Sequence, residues 1–180
     1  MVLCKINGNA KFIKINPITG YDIQFGNNGF VDLPPNNVPG ILGEFNNGKI
    51  IIISGAYDGN SNTYFFNRYN ADGSADLSFG NNGGLINDIS YYPYDYCQAI
   101  KILPNNKYLT VGCSSNSWGN YFTAHICKFN EDGTLDTTFG NNGVVLTSVG
   151  ASPGYGQFRN LDIQNDGKII VCGSSEFSGG

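Results

Sequence analysis

The 180-residue chain has one histidine, His125, and a cysteine two residues further on, Cys127, so a nucleophile–base–acid triad would have to use that imidazole. An adjacent imidazole can draw the proton from a thiol and leave a thiolate nucleophile. Both residues fall mid-strand on one face of Thr123-Ala124-His125-Ile126-Cys127. A histidine in that setting is more often structural, and nothing around it marks an oxyanion hole. No catalytic residue is assigned, and the chain is read as not an enzyme. A second set is Asn70-x-Asp72-Gly73-x-x-Asp76 and Asn130-x-Asp132-Gly133-x-x-Asp136, with oxygen ligands two and four residues apart, as in calcium loops. Neither has the bidentate glutamate that completes such a loop, and Asp-Gly in an Asn-rich bend is equally a hairpin turn. Metal and cofactor are therefore both read as none. The third set is aromatic: Tyr57, the run Tyr91-Tyr92-Pro93-Tyr94-Asp95-Tyr96, Trp118, Tyr155 and Phe177. Tyrosine and tryptophan are favoured anchors of binding surfaces.

What must position these residues is a repeat. Phe-Gly-Asn-Asn-Gly occurs at Phe25–Gly29, Phe79–Gly83 and Phe139–Gly143, with starts 54 and then 60 residues apart. A phrase returning at that period is one supersecondary unit copied along the chain. An Asn stands nine residues before each Phe (Asn16, Asn70, Asn130) and an Asp three before it (Asp22, Asp76, Asp136). A second turn follows downstream, as Asn47-Gly48-Lys49, Asn105-Asn106-Lys107 and Asp166-Gly167-Lys168. Each of these leads into an apolar strand read as ending at Gly55, Gly112 or Gly173.

Each unit then offers four strands, in positions a to d. In the second copy these are Ala99–Leu103, Tyr108–Val111, Thr123–Phe129 and Val144–Thr147. Apolar residues alternate with polar ones, and no segment keeps a 3.6-residue period, so no helix is expected. Four-stranded antiparallel units of this length are β-propeller blades; a parallel solenoid would have shorter coils. The expected units are approximately 30–83 and 84–143, with a split blade from 144–180 plus 1–29.

Composition agrees with an all-β chain. Asn and Gly number 25 each, and both tolerate the positive φ of tight turns. Charged residues are 13 %, about half the usual share, and the net charge is −4. Ten scattered Lys and Arg offer no basic stripe for nucleic acid or an anionic membrane. The N-terminus shows no signal peptide and no run approaches a membrane span. Five cysteines, none in Cys-x-x-Cys, point to free thiols in a reducing compartment, the cytoplasm or a virion. Richness in Asn and Ile is the habit of AT-rich genomes, as in giant viruses or intracellular bacteria.

The two phrases in fixed order, Asn-x-Asp-Gly-[Ser/Thr]-x-Asp-x-x-Phe-Gly-x-x-Gly and then Asp-Gly-Lys-Ile-Ile-Val-x-Gly-Ser-Ser, resemble the delta-60 repeat family. The resemblance spans about Phe12 to Ser175 and implies β-propeller blades with no common activity and no catalytic residues to carry over. The first copy departs from the pattern, with Asn16-Pro17-Ile18-Thr19-Gly20 in place of Asn-x-Asp-Gly.

Propellers close with roughly four to eight blades, and three cannot close alone. The N-terminal c-like strand Lys11–Asn16 and the C-terminal b strand read as complementary half-blades. A homodimer closing a six-bladed ring is the expected assembly. The repeated a–b and c–d turns should share one rim. The variable loops carrying Tyr57, Tyr91, Tyr92, Tyr94, Tyr96, Trp118 and Tyr155 should form the other rim, a surface for a protein or glycan ligand. The expected function is a non-enzymatic interaction module; the alternative is a self-assembling scaffold, and an uncharacterised enzyme comes third.

Overall fold

The computed structural model describes residues 1–6, 9–34, 40–57, 61–87, 89, 93–117, 120–147 and 156–175, and none of these is helical. Fifteen strands follow one another. They are β1 (Val2–Ile6), β2 (Asn9–Ile13), β3 (Ile15–Asn16), β4 (Gly20–Tyr21), β5 (Phe30–Asp32), β6 (Ile41–Glu44), β7 (Ile50–Tyr57) and β8 (Asn62–Tyr69). The remainder are β9 (Gly84–Asn87), β10 (Tyr94–Ile102), β11 (Tyr108–Ser117), β12 (Asn120–Phe129), β13 (Val144–Thr147), β14 (Gly156–Ile163) and β15 (Ile169–Ser175).

Two complete antiparallel meanders stand at the centre, β6-β7-β8-β9 and β10-β11-β12-β13. A parallel bridge, Tyr94 to Asn62, joins β10 of the second to β8 of the first. Before them lies the three-stranded sheet β1-β2-β5, and after them the pair β14-β15; β3 and β4 form a small hairpin. The chain is all-β and built of propeller blades.

Apolar alternation decides which side of each sheet faces which neighbour. Ile50 and Ile52 pack with Phe12, Phe25 and Val31 of the first sheet, whereas Ile51 and Ile53 pack with Tyr108, Cys127 and Phe129 of the third. The run Ile50–Ile53 is therefore buried on both sides, as a strand between two blades must be. On the far side of the third blade, Leu109, Val111 and Ala124 meet Phe158 and Leu161 of the last pair. Three such interfaces in succession make a fan.

Four expectations need correction. The unit boundaries move by one strand: β5 pairs with β2 and β9 with β8, so the sheets run 41–87 and 94–147 rather than 30–83 and 84–143. The phrase is a hairpin loop inside a blade, and it returns the chain onto the strand that precedes it. The strands also run past Gly55, Gly112 and Gly173. Gly112 and Gly173 instead face register breaks at Cys97/Ala99 and Phe158/Asn160, where an added Cβ would lie 1.8 and 2.0 Å from a carbonyl oxygen of the neighbouring strand. The first c strand is Asn9–Ile13, not Lys11–Asn16, because Ile15 and Asn16 turn away to pair with Tyr21 and Gly20. Finally, β1 lies beside β2 in the b position. The first and last sheets thus hold strands b-c-d and a-b, and both include a strand in the b position.

Candidate functional site

The conformation of the repeated phrase is the same in all three copies. Its first glycine (Gly26, Gly80, Gly140), its second Asn (Asn28, Asn82, Asn142) and its last glycine (Gly29, Gly83, Gly143) all have positive φ. The first glycine has no substitute, since a Cβ on Gly80 would lie 2.1 Å from the Gly84 carbonyl oxygen. Backbone bonds close the loop, with Gly83 N–H donating to Phe79 O at 2.8 Å and Asn81 N–H to Gly84 O at 2.7 Å.

The aspartate three residues before the Phe holds this loop to its blade. Asp76 accepts Lys49 Nζ and Arg68 Nε, each at 2.7 Å, and Ser78 Oγ at 2.6 Å. Asp136 accepts Lys107 Nζ at 3.0 Å and Thr138 Oγ1 at 2.6 Å, with Lys128 Nζ at 3.2 Å. Burial alone would raise the Asp76 carboxyl, but the bonds from Lys49, Ser78 and Arg68 outweigh it and hold the group well below the usual carboxylate range. Thr138 and Lys107 do the same for Asp136. The cations also cover the aromatic ring: the Arg68 guanidinium lies 4.5 Å from the Phe79 centroid, and Lys128 Nζ lies 5.8 Å from that of Phe139.

The rings of Phe25 and Phe79 each reach the next blade. The Asp-Gly turn of the following copy lies against the ring, so a Cβ on Gly133 would meet the Phe79 ring at 2.8 Å, and one on Gly73 the Phe25 ring at 3.1 Å. Gly26 N–H donates across the interface to Asp72 O at 2.7 Å, and Asn87 Nδ2 to Gly133 O at 2.6 Å. The two recurring phrases are therefore two halves of one inter-blade clasp. The carboxylates of the supposed calcium loops serve this structure: Asp72 and Asp132 bond Ser74 and Thr134 within their turns. Around them, Asn46 N–H donates to Asn106 Oδ1, and Asn47 and Asn106 donate to the Glu131 carboxylate. The a–b and c–d turns share one rim, as expected.

His125 lies in the core between the two complete blades, fully buried with Ser114, Asp95 and Tyr64. Ser114 Oγ–H donates to Asp95 Oδ1 at 2.6 Å. That leaves Ser114 to accept from His125 Nδ1 at 2.9 Å, and His125 Nε2 to accept from Tyr64 OH at 2.7 Å. Burial lowers the imidazole to about 3 and pushes the Cys127 thiol well up. Both shifts favour the uncharged forms, a neutral imidazole and a protonated thiol. The serine stands between the acid and the imidazole, which is the wrong order for a Ser-His-Asp relay.

Of the expected binding residues, Tyr91, Tyr92, Trp118 and Tyr155, along with Phe177, lie outside the described residues. The backbones of Tyr57 and Tyr94 both pair with Asn62, at the rim opposite the clasps. Tyr96 is half-buried, its ring 6.1 Å from Phe122, and burial raises its phenol. Sequence reasoning missed Asp95, Ser114 and Tyr64, which reach His125 only through strand pairing and blade contact. It also missed the cations Lys14, Arg68 and Lys128, although each stands two residues before the repeated Asn.

Residues 46–79 and 103–139 match a family model described as a domain of unknown function (DUF5122) beta-propeller. Each matched segment runs from the a–b turn to the phrase phenylalanine and so contains one complete aspartate clamp. The likeness to delta-60-type propeller repeats holds for both segments. No curated protein and no solved structure matches the chain.

Proposed function

We propose that this β-propeller domain of unknown function is a non-enzymatic interaction module that takes a protein or glycan at the rim opposite its clasps. One observation carries the reading. The polar residues of the clasp rim are bonded to one another, while the strand ends that carry Tyr57 and Tyr94 flank Asn62 at the other rim. Loops on a rigid scaffold are where recognition concentrates, and tyrosine offers large contact area with a polar tip. The neutral, buried His125 supports a role without catalysis. The five cysteines are free thiols, which suits a reducing compartment such as the cytoplasm.

A glycan array probed with the wild type, Tyr94→Ala and Tyr96→Ala tests this directly. Binding that Tyr94→Ala abolishes while the melting temperature holds supports the rim; binding unchanged in both variants discards it.

A second reading is a self-assembling scaffold. Its support is the apolar surface left open on the outermost sheets, with Ile15, Ile18 and Ile23 exposed on the first and Ile170 on the last.

A further inference from the structure

The clasp is made twice inside the chain, and each half is also present once without its counterpart. On the last interface, Phe139 is only half-buried, and a cavity of about 520 Å³ opens beside it, lined by Leu103, Leu109, Lys128, Ile163 and Ile169. At the two closed interfaces the corresponding rings, Phe25 and Phe79, are buried beneath the next copy's turn glycine. On the first sheet, Gly20 has the φ of +87° that Gly73 and Gly133 share, yet a Cβ there would meet nothing within 4 Å. Among the described residues, no turn covers Phe139 and no ring covers Gly20.

Four further observations point the same way. Lys49 and Lys107 reach the aspartates Asp76 and Asp136 of their own blades, whereas Lys168 is 75 % exposed and bonds only its turn neighbour Asp166. Asp22, the first-copy aspartate, has Lys14 at 3.8 Å and, among the described residues, no lysine from an a–b turn. Ile15 occupies the repeat position of Tyr69 and Phe129, both buried against a preceding blade, but is itself 42 % exposed. Gly48 packs on Ala71 of its c–d turn, while Gly167 faces open space.

We propose that a second copy of this chain docks here head to tail, its β2–β5 unit completing the β14–β15 sheet as strands c and d. This rests on the self-assembling reading above and adds the surface and register to it. Ile15 of the second copy enters the cavity, its Gly20 turn covers Phe139, and its Asp22 takes Lys168. The register follows from the closed blades, where Ile50 pairs with Tyr69 and Tyr108 with Phe129, so Ile169 pairs with Ile15 of the second copy. β15 then occupies the edge of β2 that β1 holds in the single chain, and β1 gives way. Two such exchanges close a ring of six blades, the geometry of a heterologous contact that returns on itself.

The test mixes two single variants, Ile15→Cys and Ile169→Cys, bridges them with a short thiol cross-linker and maps the joined peptides by mass spectrometry. Light scattering of the wild type and Ile15→Glu accompanies it. The proposal expects twice the 19.4 kDa chain mass for the wild type, a 15–169 linkage, and a folded monomer for Ile15→Glu. A monomeric wild type overturns both self-assembly and this interface. A wild-type oligomer without the 15–169 linkage overturns the exchange alone and leaves self-assembly standing.

Discussion

Single residues in this protein are constrained mainly by backbone shape. Gly80 and Gly167 both have positive φ, but a Cβ on Gly80 collides with a carbonyl oxygen, whereas one on Gly167 meets nothing. Gly167→Ala should cost about 1 kcal/mol from the left-handed conformation alone. Gly80→Ala adds the collision and should cost about 3 kcal/mol or more, read as the difference in urea unfolding midpoints. The buried histidine makes a different mark. His125 is held neutral in the folded chain down to about 3. An unfolded imidazole takes up a proton below about pH 6.5, so stability falls progressively as the pH drops through that window. His125→Gln should flatten the decline between pH 6 and pH 4 in thermal melts, at some cost in stability at pH 7. The phrase glycines were legible in the sequence because a local turn needs them. The partners of His125 were not, because strand pairing and blade packing alone bring Asp95, Ser114 and Tyr64 to it.

Among elements, the hairpin that carries the phrase is fixed to its blade by an aspartate between two cations. Both Asp76 and Asp136 are held below the ordinary carboxylate range. Their contribution to stability is complete above the unfolded value, about 3.9, and is lost as the pH falls through it towards the folded values. A second acid step therefore follows the histidine window, and Asp76→Asn should remove part of it and lower the melting temperature by several degrees at pH 7. Strands b and c were readable from their apolar alternation. Strand boundaries were not: the bulges opposite Gly112 and Gly173 let the strands run on where the glycine reads as a stop. The pairing of β1 with β2 was missed for a related reason, since Val2–Ile6 lacks the flanking turn phrase that marked every other b strand.

For the whole molecule, the repeat period fixes a fan of blades, and the order of two phrases reports how neighbouring blades hold each other. The aromatic rim was only partly placed, because loop residues carry no repeat register to locate them. Closed interfaces and open ones use the same parts, so the clasp is the unit from which both stability and any assembly derive. A double-mutant cycle on Phe79→Ala and Gly133→Ala measures it most directly, because the strain of the positive φ at Gly133 cancels and only the ring-to-turn contact remains. The clasp predicts that Gly133→Ala costs about 1 kcal/mol less once the ring is gone. Strictly additive losses would contradict it.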